Sequence, residues 1–307
     1  MFIRTPRSLI IISLTLAAIA LLAIASARQN QSSRGILIRP APPADHRIAY
    51  GANEFQFGEL RLPKGAGPHP VAIVLHGGCW MSQYGLSYMG HLSAALAEVG
   101  VATWSVEYRR IGNPGGGWPG TFEDASRAAD HLLTLVKSHP LDLNRVVAVG
   151  HSAGGHLALW LAARTQLPKD SLAYSPAPFP LRGVVSLAGI TDLRRAGTAC
   201  DENIPQLMGG SAKDKATIYN QASPIELLPL GIPSAIVQGD SDNIIPLAMA
   251  QDYADAAKKK GDDTKLIVIE KAGHFEVVDP KSFAWPTVQE VVLSMLKSNK
   301  TEKVGRN

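Results

Sequence analysis

The sequence predicts an α/β fold, in which a mostly parallel sheet is covered by helices on both faces. Short runs that are mostly apolar without alternation, such as residues 71–76 and 234–239, are typical of strands buried on both sides. Segments of helical length with one apolar face separate these stretches along the chain. With 307 residues, of which 46% are hydrophobic, the chain is long enough for one large domain with a sizeable core.

The predicted strands and helices alternate along most of the chain. Early strands within residues 48–62 are expected to pair antiparallel at one edge of the sheet. Residues 190–230 break the alternation, because they have mixed polarity and no clear strand, and we predict that they form a small cap insertion. The predicted strands are residues 56–63, 71–76, 101–107, 145–150, 183–189, 234–239 and 264–270, and the predicted helices are residues 91–100, 122–137, 153–165, 247–260 and a final helix around 288–296.

The N-terminus has the three parts of a secretory signal peptide. Arg4 and Arg7 precede an apolar run from residue 9 to 25, and Ala25-Ser26-Ala27 forms a cleavage site. The apolar run is short for a membrane span, which needs about 20 residues. We therefore predict a signal peptide at residues 1–27 and a secreted or periplasmic protein with no stable membrane span. An uncleaved N-terminal membrane anchor is the alternative.

Polar, proline-rich residues 28–45 predict an exposed linker before a globular domain at residues 46–299, and residues 300–307 predict a flexible tail. The net charge is +4, and cleavage of the signal would remove two arginines and leave a nearly neutral domain. Since its basic residues are dispersed, nothing favours nucleic acid as a partner. The two cysteines do not have metal-site spacing, and no feature predicts an oligomeric state.

Ser152 stands at the centre of Gly-His-Ser-Ala-Gly, between a predicted strand and a predicted helix. In that context G-x-S-x-G places a serine on a tight turn above the carboxyl end of the sheet, where open α/β folds bind ligands. Gly150 and Gly154 leave space where side chains would collide with the strand or the helix. The helix begins at Ala153, so its positive dipole end faces the same place. We predict that Ser152 is a nucleophile rather than only a helix cap.

A serine nucleophile needs a base, and the base needs an acid that fixes its tautomer. His274 follows the last predicted strand and is the candidate base. Asp242 follows the penultimate strand and is the candidate acid. Asp240 could instead bond nearby turn amides, and Asp192 is a weaker alternative because it follows an earlier strand. The order serine, acid, histidine is the one expected of this architecture.

The sequence HGGCW at residues 76–80 follows a predicted strand, where the second contributor to an oxyanion hole is expected. Its glycines let the backbone come close to a substrate. We predict that the amides of Gly78, Cys79 and Ala153 stabilise an oxyanion. A flexible glycine turn without function is the alternative.

Together HGGCW, GHSAGG, QGDSDNIIP and AGHFE resemble the α/β-hydrolase fold, most closely its HGG-type esterases and its kynurenine-formamidase-like and feruloyl-esterase-like branches. The resemblance covers about residues 46–298. It implies a serine hydrolase that uses Ser152, Asp242 and His274 without a metal or an organic cofactor. Many esterases of this group have a third glycine where Cys79 stands, so their alcohol preferences are not carried over to this chain.

Three aromatic residues are candidates for binding substrate beside the predicted site. Trp80 and Tyr108 stand next to the motifs, and Trp118 lies in the glycine-rich loop at residues 113–120. The alternative for Trp118 is that it only packs on the domain, as aromatic residues in loops often do.

Cys79 lies in the predicted oxyanion loop, and Cys200 lies in the predicted cap. Export permits a disulfide, and the chain has no other cysteine. Our hypothesis is that the two residues form a disulfide that ties the cap to the catalytic loop. Two free thiols are the alternative.

The leading prediction is an exported serine hydrolase that cleaves a small carboxylic ester, with an amide as the alternative substrate, through an acyl-enzyme. Formamidase and peptidase activities are rivals within the same enzyme class. A non-catalytic binding protein on this scaffold is the rival from another class. That last hypothesis usually requires a broken triad or oxyanion loop, and neither is broken here.

Overall fold

The computed structural model describes residues 33–297, and eight strands of this part of the chain form one sheet. Strands that are buried at most positions form its centre, and partly exposed strands form its edges. The strands are β1 (His46–Ala49), β2 (Phe57–Arg61), β3 (His69–Leu75), β4 (Ala102–Val106), β5 (Leu141–His151), β6 (Gly183–Leu187), β7 (Ser234–Gly239) and β8 (Thr264–Ile269).

The strand order is β1-β2-β4-β3-β5-β6-β7-β8. β1 pairs antiparallel with β2, and β2 pairs antiparallel with β4, as predicted for the early strands. All other pairs are parallel, so the fold prediction is confirmed. Because strand side chains alternate, Ile73 and Leu75 of β3 face one core, while Val74 faces the other.

Helices cover both faces of the sheet. On one face α1 and α8 pack against the smaller core, and on the other face α2, α3, α4 and α7 pack against the larger core. Parallel strands require such covering, since neither of their faces can be left to water without exposing apolar side chains. These helices are α1 (Gly90–Glu98), α2 (Gly120–Asp130), α3 (Leu132–Leu135), α4 (Ala153–Ala162), α5 (Ile204–Met208), α6 (Ala216–Ala222), α7 (Leu247–Lys259) and α8 (Trp285–Leu296).

The predicted cap contains α5, α6 and a 3-10 helix at Pro224–Leu227, and no strand. The cap packs against the larger core through the buried side chains of Leu207 and Tyr219. The cap is also hydrogen-bonded to α4, where Trp160 Nε1 donates to the carbonyl of Gln221 at 2.9 Å. The cap is therefore fixed to the helix that follows Ser152.

The prediction of an exposed linker is wrong for residues 33–37, whereas most of residues 38–45 are exposed as predicted. Ile36 is 0% exposed and packs in the smaller core, and Gly35–Leu37 forms a 3-10 helix. A single buried side chain such as Ile36 produces no periodic pattern in the sequence. The linker prediction therefore followed the polar residues and prolines around it. The predicted signal peptide, residues 28–32 of the linker and the tail at 300–307 lie outside the described residues. Among residues 33–297, no helix has the length and apolar character that a membrane span needs.

Candidate active site

Ser152 lies on a strained turn between β5, which ends at His151, and α4, which begins at Ala153. Its φ of 56° is in a region that residues other than glycine rarely adopt. The turn is possible because its neighbours have no side chains. A Cβ on Gly150 would lie 2.0 Å from the carbonyl oxygen of Gly154, and a Cβ on Gly154 would lie 2.2 Å from that of Leu75. The serine is thereby held at the carboxyl end of the sheet.

Asp242 and His274 form a hydrogen-bonded pair, with 2.8 Å between Asp242 Oδ2 and His274 Nδ1. They come from the loops that follow β7 and β8, which are neighbouring parallel strands. Asp242 Oδ1 accepts the amides of Ile244 and Ile245 at 2.8 and 3.0 Å. Burial raises the pKa of Asp242, but the hydrogen bond and charge of His274 and the two amides outweigh burial and hold the pKa below its ordinary value.

The two alternative acids have other roles in the structure. Asp240 Oδ1 accepts the backbone amide of Lys271 at 2.7 Å, and Lys271 lies in the loop that leads to His274 and not in the turn of Asp240. Asp192 Oδ1 accepts the amide of Arg194 at 2.8 Å, within the cap. Because Asp242 occupies Nδ1 of His274, the other ring nitrogen is the one that can serve Ser152.

The predicted oxyanion loop lies in the same cavity as Ser152, since Gly78 and Cys79 both line it. Their φ angles are 101° and 49°, so both residues have the positive φ that side chains other than glycine rarely adopt. Within residues 33–297, no hydrogen bond engages the amide of either residue. Ala153 is the first residue of α4, where an amide has no partner inside the helix. The structure thus brings the three predicted donors to one place.

A network of buried hydrogen bonds holds the oxyanion loop against the core. His76 Nε2 lies 2.9 Å from Glu107 Oε1, and the hydroxyl of Tyr108 donates to the carbonyl of His76 at 2.6 Å. Glu107 also accepts the amide of Leu86 at 3.1 Å. Burial raises the pKa of Glu107, but His76 and Arg110 outweigh it and lower the pKa below its usual value. The Glu107 carboxylate therefore joins His76 of the oxyanion loop to the segment that begins at Leu86.

The prediction that Trp80 and Tyr108 bind substrate is wrong. Both side chains are 0% exposed, because they fill the core under the loop. The Trp80 ring meets His156 edge-on at 5.1 Å, and the Tyr108 ring stacks on His76 at 4.3 Å. Trp118 packs edge-on against Phe122 at 4.9 Å, which is the packing alternative.

Other aromatic residues line the cavity, which has a volume of about 430 Å³. Tyr84 and Tyr88 come from the segment just after HGGCW, and Phe275 follows His274 directly. Sequence reasoning missed them, although their position beside the motifs was an available signal. The full lining is Arg34, Leu37, Gly78, Cys79, Met81, Tyr84, Tyr88, Ser152, Ala199, Asn203, Ile244, His274 and Phe275.

A chain of buried hydrogen bonds connects the oxyanion loop to the histidine loop. The amide of Gly77 donates to the Tyr88 hydroxyl at 2.6 Å, which lies 2.8 Å from His151 Nδ1. His151 Nε2 lies 2.9 Å from the carbonyl oxygen of His274 and must donate to it. Tyr88 therefore donates to Nδ1 of a neutral His151. Burial agrees with this assignment, because it lowers the pKa of His151 to about 3.

Cys79 and Cys200 are joined as a disulfide, with a Cα–Cα distance of 5.2 Å. The bond links the oxyanion loop to the cap across 121 positions of sequence. Ala199 and Asn203, on either side of Cys200, line the cavity. The disulfide therefore fixes one wall of the cavity relative to the predicted oxyanion hole.

A profile of the BD-FAE family matches residues 59–256, which is more than half of the chain. The chain therefore belongs to the BD-FAE family, whose members are α/β-hydrolase esterases. The match includes Ser152, Asp242 and the oxyanion loop, and ends before His274.

Curated relatives have the names of ester hydrolases. The chain is 25% identical over 63% of its length to the probable carboxylic ester hydrolase LipM of Mycobacterium tuberculosis (strain ATCC 25618 / H37Rv). It is 24% identical over 87% of its length to the probable isoprenylcysteine alpha-carbonyl methylesterase ICMEL1 of Arabidopsis thaliana. The chain spans only 46% and 59% of the lengths of these two relatives.

Solved structures of esterases share the fold. A truncated carbohydrate esterase from gut microbiota has a TM-score of 0.73 at 17% identity, covering 83% of this chain and 99% of that one. The butyrate-bound esterase Est2 of the planctomycete Thermogutta terrifontis has a TM-score of 0.68 at 20% identity, covering 83% of this chain and 94% of that one. At these identities the similarity establishes the fold alone.

Proposed function

We propose that the protein is an exported serine hydrolase that cleaves carboxylic esters through an acyl-enzyme. The observation that carries this proposal is the shared cavity of Ser152, His274 and the oxyanion loop, with Asp242 bonded to His274. The esterase names of the relatives support the same reaction class. The basic, apolar and small-residue pattern of residues 1–27 supports export.

In the proposed reaction His274 removes the proton of the Ser152 hydroxyl as the oxygen attacks the ester carbonyl. Asp242 stabilises the imidazolium that forms, and its low pKa keeps it ionised near neutral pH. The amides of Cys79 and Ala153, with that of Gly78, receive the charge of the tetrahedral oxygen. His274 then protonates the leaving alcohol, and the acyl group stays on Ser152 until His274 activates a water molecule.

A fluorophosphonate probe tests this proposal, because it phosphonylates only an activated serine. The folded wild type is expected to take up one equivalent of probe for each protein molecule, and Ser152→Ala is expected to remain unlabelled. Absence of labelling in a folded, disulfide-bonded wild type would favour the non-catalytic binding protein. Sequencing the N-terminus of the mature protein tests export, with a start at Arg28 as the expected result.

An amide is the second candidate substrate. The chain is 28% identical over 78% of its length to acylamino-acid-releasing enzyme 1 of Oryza sativa subsp. japonica, and it spans 32% of that protein. A panel of short and long acyl esters, a formyl amide and blocked dipeptides separates the candidates. The esterase proposal expects kcat/KM to be highest for an ester, and a higher value for an amide would overturn it.

A further inference from the structure

The segment Ser33–Arg39 is anchored to the domain at both ends. Near its start, Ser33 is buried and lies beside the buried carboxyl of Glu276. At its end, Arg39 Nη2 pairs with Asp279 Oδ1 at 2.6 Å. Ile36 fills the core between these two points. The segment is therefore held against the loop that follows His274, and its side chains have a defined place.

This anchoring brings Arg34 and Leu37 to the wall of the cavity that contains Ser152 and His274. Within residues 33–297, no carboxylate forms an ion pair with Arg34. Asp242 of the proposed site has a side chain that is 0% exposed and is bonded to His274. Glu276 is buried beside Ser33 and does not line the cavity. Among the described residues, Arg34 is thus an exposed cation that has no carboxylate partner and lines the cavity.

None of the described residues that line this cavity is an aspartate or a glutamate, and the rest of the wall is aromatic, aliphatic or polar. An anionic group of a substrate would therefore meet one positive charge and no opposing negative charge. A guanidinium binds a carboxylate with two parallel hydrogen bonds, which gives orientation as well as attraction. The aromatic rings of Tyr84 and Phe275 would cover the apolar part of the same substrate.

We propose that Arg34 forms an anion subsite of the active site, which selects esters that carry a carboxylate. The inference rests on the proposed esterase function and narrows its substrate class. The carboxylate can belong to the acyl part or to the alcohol part of the ester, since both lie in the same cavity. Arg34 touches the substrate away from the reacting carbonyl, so its contribution is to KM more than to kcat.

The test compares three esters in the mature enzyme at low ionic strength. These are 4-nitrophenyl butyrate, which is neutral, mono-4-nitrophenyl glutarate, which carries the carboxylate on the acyl part, and 4-butyryloxybenzoate, which carries it on the leaving group. The variants are Arg34→Ala, Arg34→Glu and the conservative Arg34→Lys. Arg47→Ala is the matched control, because Arg47 is an exposed arginine that stacks on Phe57 at the sheet edge.

We expect Arg34→Ala to lower the kcat/KM of one charged ester, relative to the neutral ester, by about three- to tenfold through KM. Arg34→Glu should lower this ratio further, Arg34→Lys should retain part of it, and Arg47→Ala should leave it at the wild-type value. A loss confined to the glutarate ester places the subsite on the acyl side, and a loss confined to the benzoate places it on the alcohol side. High salt should reduce the wild-type preference.

An unchanged ratio in Arg34→Ala and Arg34→Glu, with all three esters still hydrolysed, would overturn the subsite and leave the esterase proposal standing. A wild type that hydrolyses none of the three esters and is not labelled by a fluorophosphonate would overturn both.

Discussion

The loops that carry Asp242 and His274 line the same cavity as the segment that carries Arg34, but the two regions are held in different ways. The loops continue from parallel strands, and buried hydrogen bonds fix their side chains. The segment Ser33–Arg39 is held by one buried isoleucine and a few polar contacts. The proposed reacting groups are thus fixed by the strands of the core, whereas part of the cavity wall belongs to a segment that packs on the core from outside.

The cap resembles the N-terminal segment in this respect. Its wall residues, Ala199 and Asn203, depend on the disulfide at Cys200 and on packing against α4. This difference leads to a prediction. Substitutions in the loops that carry Asp242 and His274 should abolish turnover, whereas substitutions in the cap or in the segment Ser33–Arg39 should change stability or substrate choice. The predictions below test this division.

The largest expected effect is on Asp242, the acid of the proposed triad. Asp242→Asn should lower kcat by roughly 10³–10⁴, because the amide cannot stabilise an imidazolium and favours the wrong histidine tautomer. Asp240→Asn is the matched control, since Asp240 accepts the Ser241 hydroxyl and the Lys271 amide but does not contact His274 in the described hydrogen bonds, and the asparagine oxygen can still accept both. Steady-state kinetics with a neutral ester measure both. Comparable losses in the two variants would contradict the assignment of Asp242.

The disulfide should have the next largest effect, on stability. Cys200→Ser should lower the free energy of unfolding by roughly 2–4 kcal/mol, because the bond closes a long loop in the unfolded chain. Urea denaturation of the variant, beside wild type with and without dithiothreitol, measures this difference. Equal midpoints for oxidised and reduced wild type would show that the link between the oxyanion loop and the cap does not stabilise the fold.

The hydrogen-bond chain through Tyr88 should have a smaller effect, on kcat. Tyr88→Phe removes the donor to His151 and the acceptor of the Gly77 amide, so two buried groups lose partners. We expect kcat to fall by about tenfold, while KM changes little, because the oxyanion loop and His274 lose their common support. Tyr253→Phe is the control, since the Tyr253 hydroxyl is buried without a hydrogen-bond partner in the described chain. Equal kcat values in the two variants would remove Tyr88 from this role.

The last expected effect vanishes at neutral pH and is a slope of stability against pH below it. Burial lowers the pKa of His156 from 6.5 to about 4, so this group stays neutral in the folded state while the unfolded chain takes up a proton. Its contribution is complete above pH 6.5 and falls by about 1.4 kcal/mol for each pH unit as the pH decreases towards 4. His156→Gln should flatten that part of the profile of unfolding free energy. Profiles of equal slope would contradict the assignment.

The sequence predicted the parts of the molecule that depend on local pattern. The apolar strands and G-x-S-x-G located Ser152, and the rule that parallel strands end at one edge brought Asp242 and His274 to it. The edge strands and the cap were also visible as breaks in the pattern. Each of these predictions depends on a pattern within a short stretch of consecutive residues.

The cavity wall was not predictable in the same way, because it depends on contacts between distant segments. Trp80 and Tyr84 stand four positions apart, yet one fills the core and the other lines the cavity. The tight turn after β3 decides between them, since Trp80 itself has a φ of 57°. Ile36 is equally invisible in sequence, because its burial depends on a groove made by residues far along the chain.

The division between core chemistry and attached walls is tested most directly by trapping the acyl-enzyme. Rapid mixing with 4-nitrophenyl butyrate should give a burst of about one nitrophenol for each active site, and acid quenching followed by peptide mass mapping should find the butyryl group on Ser152. The account predicts this adduct in wild type and in Arg34→Ala, and no adduct in Ser152→Ala. A butyryl group on another residue, or turnover that persists in Ser152→Ala, would contradict it.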